Sequence, residues 1–441
     1  MTINRVVNGE SPKTHEGAQA VRISDIKTLQ RSIMSCMLWE DEFYEEGEEI
    51  ADRIVSLIQK LPYNKLNEVA NMAIKAREEM YLRHVPLLII TSLIKRKYPV
   101  ADLIYKVIQR PDELTELLSI YWKDERVPLA KQLKKGLAKA FTKFNEYSLA
   151  KYNNTAKAIK LRDVMFMVHP KPLNKEQEDL WKKLIDNKME IPDTWETQLS
   201  AGKDKKEVWE RLISEKKLGG LATLRNLRNM QEVGVTETSI RMAIFQADYS
   251  KVLPFRFIAA SRYAPKYEDV IEAVMIKKIS IDKKLKGKTI LLVDVSGSMD
   301  TTISSKSDMT RMDAGFGLGI ILREICDDLE IFTFSNHLQQ IPNRHGFALR
   351  DAMNTSQPHG GTELGTAINI VNLNFDVTDR LIVITDEQSH SRVSIPKMNK
   401  AYMLNVASNQ NGVGYGKWIH IDGFSEAVIS YIIENESLES S

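Results

Sequence analysis

Near residue 283 the hydrophobic pattern of this chain changes period, and the change constrains what each side can fold into. From about Ile26 to Met275 apolar residues recur at helical spacing. Ile50, Ile54, Leu57, Ile58 and Leu61 form one stripe closed by Pro62, and Leu66, Val69, Ala70, Ala73 and Ile74 form the next. Val85 to Leu93 reads as a buried helix, and Ala101, Ile104, Val107 and Ile108 lie between Pro99 and Pro111. Leu114, Leu117, Leu118 and Tyr121, then Leu129, Leu133, Leu137, Ala140 and Phe141, repeat the alternation of helix and breaker. Helices of roughly 12–16 residues with short breaks predict an α-solenoid or an irregular helical domain. No repeat is recognisable by residue identity.

Beyond the Lys283–Lys288 linker, strands at Thr289–Val293, Ile331–Phe334, Leu381–Ile384, Ala401–Val406 and Lys417–Ile421 alternate with helical patterns near 312–326, 363–373 and 425–433. That order predicts a doubly wound α/β domain. The expected organisation is a flexible arm over 1–25, a helical domain over 26–280 and an α/β domain over 288–435. Ser425 suits an N-cap for the last helix, and the acidic end, Glu434 to Ser441, reads as frayed.

The first of those strands runs into Asp294-Val295-Ser296-Gly297-Ser298. A carboxylate and two hydroxyls thus fall at the end of an α/β sheet where ligands gather. Gly360-Gly361-Thr362 precedes a helical pattern, and the RLIVIT strand ends in Asp386-Glu387. Asp294, Ser296, Ser298, Thr362 and Asp386 make a set of hard oxygen donors. They suit Mg²⁺ above all, or Mn²⁺ or Ca²⁺, rather than zinc. The same residues are also good turn and cap formers. In this order the three pieces resemble the metal-ion-dependent adhesion site (MIDAS) of von Willebrand factor A-type (vWA) domains. That resemblance implies open coordination positions for water or for an acidic group of a protein partner.

Composition places the chain among globular proteins, with 43% hydrophobic and 27% charged residues. No apolar run reaches the roughly 18 residues of a membrane span, and the N-terminus lacks the apolar core of a secretory signal. Cys36 and Cys326 lie far apart on helix-like stretches and read as free thiols of a reducing cytoplasm. A cytoplasmic monomer with no membrane partner is expected, although adhesion-type A domains are largely extracellular.

The net charge of +2 hides an asymmetry. Residues 281–441 carry 14 Lys/Arg against 20 Asp/Glu, which leaves 47 against 39 for residues 1–280. Residues 131–230 hold 22 basic and 13 acidic side chains. A basic helical half suggests a polyanion partner, or a lysine-rich solvated surface.

Within that half, Leu149-Ala150-Lys151-Tyr152, Leu161-Arg162-Asp163-Val164, His169-Pro170-Lys171-Pro172, the stretch Leu218 to Met230 and Val252-Leu253-Pro254-Phe255-Arg256-Phe257 follow one another, and Trp418 to Ser425 closes the chain. In this order, with an A-type domain behind them, they resemble the TROVE domain of the Ro autoantigen family over roughly residues 26–435. The resemblance implies a ring of HEAT-like helical repeats closed by the vWA domain. It also implies a ribonucleoprotein that binds small structured non-coding (Y-like) RNA, or the single-stranded 3′ ends of misfolded RNA, in RNA quality control. Lys151 and His169 match family positions on the RNA surface. An arginine usual in the family shortly after that lysine is absent, with Asn153, Asn154 and Thr155 in its place, so a standard Y RNA is not assured.

The residue types agree with the resemblance. Lys151, Lys157, Lys160, Arg162, Lys171 and Lys175 can neutralise phosphates, and Tyr152, Phe166 and His169 can stack on bases. Phe166, in an apolar run, reads rather as core, and His169 before a proline also suits a helix end. Arg225 and Arg228, three apart beside Asn226 and Asn229, suit an RNA-lining face or helix carbonyls. No Walker loop, H-E-x-x-H or zinc-spaced Cys/His set is present, so no enzyme is expected. A metal-dependent protein-binding adaptor is the alternative, and a metal-dependent hydrolase the weaker one, His337 and His390 having no partner assigned by sequence.

Overall fold

The computed structural model describes residues 24–34, 47–154, 156–279, 284–303, 308–407, 412–414 and 416–423, with Lys13 and positions 428, 429, 432, 433 and 436. Most of the 1–25 arm, Cys36, Thr155 and Ser425 fall outside them. By packing, the chain divides into two compact units, Ala51–Val208 and Met1–Ile50 with Trp209–Ser441.

The Ala51–Val208 unit includes the successive helices Leu66–Glu78, His84–Lys95, Ala101–Val107, Pro111–Tyr121, Lys131–Phe141, Glu146–Tyr152, Leu161–Val168 and Lys175–Ile185. Beyond the first pair, which pack on each other, the amphipathic stripes find much of their cover two helices along. The first packs on the third, the third on the fifth and the fifth on the seventh, while the even-numbered members follow the same rule. Two layers result, as in HEAT-like repeats. Between Ala101–Val107 and Lys131–Phe141 the approach is close enough to require glycine. A Cβ on Gly136 would lie 2.7 Å from Ile104 Cβ. Pro111 opens its helix at the first position, where its missing N–H costs nothing.

In the other unit, Gly220–Glu232, Glu237–Gln246, Phe255–Tyr263 and Glu268–Ile279 keep the two-along packing and then continue it onto the α/β layers. Phe255–Tyr263 packs on Arg311–Ile325, and Glu268–Ile279 on Gly346–Asn354. Polar contacts fasten this junction. Arg262 Nη2 lies 2.6 Å from Asp313, and Arg350 reaches Ser261 Oγ at 2.9 Å and Glu268 at 3.1 Å. The packing therefore cuts across the change of pattern near residue 283.

Six strands form one sheet: β1 Leu285–Asp294, β2 Cys326–Phe334, β3 Leu338–Gln340, β4 Arg380–Thr385, β5 Lys400–Asn405 and β6 Ile419–Asp422. Their order is β3-β2-β1-β4-β5-β6, parallel throughout except for β3. Helices Arg311–Ile325 and Leu364–Asn374 serve as crossovers, and β4 is buried along its whole length. The doubly wound expectation holds. The short edge strand β3, Leu-Gln-Gln, and the helix Gly346–Asn354 were not foreseen, since neither carries a clear apolar period.

Two expectations are corrected. Cys326 does not sit on a helix. It ends Arg311–Ile325 in extended conformation and begins β2, where burial pushes its thiol pKa up to about 11. The acidic end is not frayed at Glu436, whose carboxylate is buried against Arg380 Nη2 at 2.6 Å and Lys400 Nζ at 2.9 Å. Charges this far from the strands in sequence leave no periodic trace. Among the described residues no helix is long and apolar enough to cross a membrane.

Candidate functional site

The register of β1 on β4 builds the strand-end site. Val293 pairs with Ile384, so Asp294 and Thr385 end side by side, at the point where successive connections leave β1 in opposite directions. Asp294 is wholly buried. Its Oδ2 accepts the Thr385 hydroxyl at 2.6 Å and its Oδ1 the Ser296 N–H at 2.9 Å. Ser296 Oγ lies 3.2 Å from Ser298 Oγ.

The second and third loops are stitched to the first. Gly297 N–H donates to Gly360 O at 2.9 Å. The Gly360-Gly361 turn is held by Ser335 and Asn336 at the end of β2, and a Cβ on Gly360 would meet Asn336 Nδ2 at 2.3 Å. Thr362, 2% exposed, donates its N–H to His390 Nδ1 at 2.9 Å and accepts the His390 N–H at 3.0 Å. His390 therefore has a definite partner, which sequence reading did not assign. Asp386, also wholly buried, accepts the Gln388 N–H at 3.2 Å on Oδ1 and Arg311 Nη1 at 3.3 Å on Oδ2. Glu387, at φ 59°, turns the other way to accept the Val413 and Gly414 amides and to pair with His420.

Whether these residues fit a divalent cation can be judged from their chemistry. Burial, and then the Asp386 charge, push the Asp294 pKa up to about 7. Such a shift marks a dry carboxylate beside a second one, where added positive charge is favourable. A dication beside them would supply it, with the Ser296, Ser298 and Thr362 hydroxyls as further hard donors. No group of three or more His, Cys, Asp and Glu that could hold a metal ion occurs among the described residues. The two carboxylates and three hydroxyls are hard donors, the kind that Mg²⁺ takes. Thr385 and Arg311 were missed from sequence. Strand register could have suggested Thr385; Arg311 lies 75 residues from the carboxylate that it meets.

The expected RNA residues are spread over both units. In Ala51–Val208, Lys151 is exposed at the end of Glu146–Tyr152, and His169 and Lys171 are exposed just after Leu161–Val168. His169 caps that helix at φ 47°, so the helix-end reading is correct and the residue is still exposed. Phe166 is corrected: it is 54% exposed, because Leu161, Val164, Met165 and Val168 take the buried face. Tyr152 is less open than expected, since the Arg110 guanidinium covers its ring at 4.3 Å. Lys157 pairs with Glu116 at 3.6 Å and Arg162 lies 3.9 Å from Asp163. The Lys160 backbone N–H is taken by Asp163 at 2.9 Å, and Lys175 pairs with Glu178 at 3.2 Å. In the other unit, Arg225 and Arg228 are exposed on Gly220–Glu232, Arg228 pairing with Glu232 at 3.2 Å, while Asn226 is buried and bonded to Ala222 O.

A two-layer helical repeat with a doubly wound vWA-like α/β domain is the class of fold that Ro proteins have. The crystal structure of the Deinococcus radiodurans RO (RSR) protein matches with a TM-score of 0.63 at 15% identity, covering 93% of this chain and 99% of that one. A sequence model of the TROVE domain matches residues 183–274. Telomerase protein component 1 of Mus musculus is 34% identical over 87 residues, 18% of this chain and 3% of that protein. Its Rattus norvegicus counterpart is 34% identical over 79 residues, 17% of this chain and 3% of that protein. The chain therefore spans only a small fraction of these curated relatives. Residues 183–274 are thus similar to the TROVE domain, and the chain has the fold of that Ro protein.

Proposed function

We propose that this protein is an RNA-binding ribonucleoprotein subunit, not an enzyme, whose helical part takes small structured non-coding RNA or the single-stranded 3′ ends of misfolded RNA. One observation carries the reading. Phe166 stands in solvent on a helix that leads directly into exposed His169 and Lys171, in the most basic part of the chain. A solvated aromatic costs apolar exposure, and beside cations it forms the stacking and phosphate-neutralising surface that unpaired nucleotides need. Lys151, exposed at the end of the preceding helix, adds a further cation to this stretch. The reading extends to a role in RNA quality control in the cytoplasm, which the resemblance to the Ro family supports. Asn153 and Asn154 follow the helix end at Tyr152 in place of the arginine that the resemblance leads one to expect, so the RNA need not be a standard Y RNA.

The test is binding of a structured RNA with a free 3′ tail across a salt series. Phe166→Ala is expected to weaken binding by roughly 1–3 kcal/mol, as for loss of one stacked base. Lys151→Ala with His169→Ala should also reduce the salt slope, by about 0.7 for each phosphate contact to a single strand. Melting temperatures should barely move, the groups being exposed. Affinity unchanged in both variants would refute this surface.

A second reading concerns the α/β domain, and the buried, mutually repelling Asp294 and Asp386 favour it. Asp294, Ser296, Ser298, Thr362 and Asp386 would hold one divalent cation, most simply Mg²⁺, which would supply positive charge and an open position for an acidic group of a partner protein. Saturating Mg²⁺ is expected to stabilise the protein by about 2.7 kcal/mol at a hundredfold excess over Kd. Asp386→Asn should remove that effect. An identical unfolding curve in Mg²⁺ and in EDTA would refute ion binding.

A further inference from the structure

The strand-end carboxylates already face a cation, one that belongs to the protein. Arg311 opens the helix Arg311–Ile325 behind its Thr310 N-cap, and its side chain is only 1% exposed. Its Nη1 sits 3.3 Å from Asp386 Oδ2, while the other oxygen of that carboxylate is occupied by the Gln388 amide. The backbone around Arg311 is pinned. Its N–H donates to Thr301 O at 3.0 Å, Thr302 and Thr310 form a bridge, and Asp313 is clamped by Arg262 at 2.6 Å.

We propose that Arg311 sets the ion affinity of this site: its guanidinium is a resident counter-ion on Asp386 Oδ2, and a divalent cation must displace it to bind. The inference rests on reading these residues as an ion site. When both are ionised the two carboxylates carry two negative charges, of which the guanidinium offsets one. A dication entering beside it meets like-charge repulsion in a medium too dry to screen it. The pinned backbone leaves the long side chain as the part that moves. Apparent affinity is then the intrinsic affinity multiplied by the fraction of molecules in which Arg311 has let go.

The sign of a substitution separates this role from mere structural support. A supporting arginine, once removed, would loosen the site and weaken the ion; a competitor, once removed, tightens it. Mn²⁺ titrated into the full chain, with free Mn²⁺ read by electron paramagnetic resonance, measures this directly. Arg311→Met is expected to bind Mn²⁺ roughly tenfold or more tightly than the unaltered protein, as follows from an arginine engaged about nine-tenths of the time. Arg311→Lys keeps the charge without the planar fork; it too should bind more tightly, and it serves if the methionine variant does not fold. Equal or weaker binding in a folded Arg311 variant overturns the competition while leaving the ion site standing. No Mn²⁺ bound by the unaltered protein or by either variant overturns both readings together.

Discussion

Replacing Glu436 with alanine is expected to destabilise the α/β domain by about 3–5 kcal/mol, the usual result of breaking a buried ion pair from one side. Arg380, at the first position of β4, is 4% exposed and stands between Glu436, the Thr289 hydroxyl at 2.7 Å and the Lys286 carbonyl at 3.0 Å. Without the carboxylate, a guanidinium remains in the sheet with two neutral acceptors. Lys400 and the Tyr402 hydroxyl lose the same partner. The clasp joins β1, β4 and β5 at the end of the sheet opposite the strand-end site, so ion binding should survive in whatever fraction stays folded. Urea unfolding measures the loss, and a change under about 1 kcal/mol would mean that the clasp is dispensable. The pH dependence has a definite sign. Burial pushes the Glu436 pKa up, but Arg380 and Lys400 together outweigh it and hold the group below its ordinary 4.5. A depressed carboxylate contributes stability above that value and loses it as pH falls toward the folded pKa. The mutant and the unaltered protein should therefore converge in acid.

How much of this was legible in sequence depended on whether the signal was local. Asp294, Ser296 and Ser298 follow a strand whose apolar run is unmistakable, and Thr362 and Asp386 stand at equally local junctions. All five emerge on loops tied together by Gly297, Gly360 and His390. Phe166 was legible and was misjudged. Leu161, Val164, Met165 and Val168 lie at helical spacing, which turns position 166 outward, whereas the run was read as uniformly apolar. Arg311 and Glu436 are of another kind. Each is an ordinary charged residue in its own segment and gains a role only from a partner 75 or 56 residues away. Periodicity carries no information about such pairs.

The second large effect is expected at Arg77. Glu113, with no exposed surface, receives Arg77 Nη2 at 2.7 Å on one oxygen and the Gln109 and Arg110 amides at 2.7 and 3.1 Å on the other. The carboxylate thus caps the helix Pro111–Tyr121 while the guanidinium neutralises it. Arg77→Met should cost about 3–5 kcal/mol, since the nearest remaining cation, Arg83, is 3.9 Å away. Arg77→Met with Glu113→Gln should recover part of the loss, because a neutral amide oxygen still accepts a backbone N–H without needing a counter-charge. Burial already raises the Glu113 pKa despite Arg77, and removing Arg77 raises it further. For a carboxylate whose folded pKa is raised, stability falls as pH rises from the unfolded value through the folded one. The Arg77→Met defect should therefore be larger at pH 8 than at pH 5, and the double variant should show much less of that slope. A defect independent of pH would assign the loss to packing around the arginine stem instead of to its charge. The same helix start carries Arg110, whose guanidinium is fixed on Asp112 and covers Tyr152 beside Lys151. A protein that melts earlier through Arg77 yet binds RNA with unaltered affinity at low temperature would show that the cap supports the fold and that the exposed residues beyond it carry the binding.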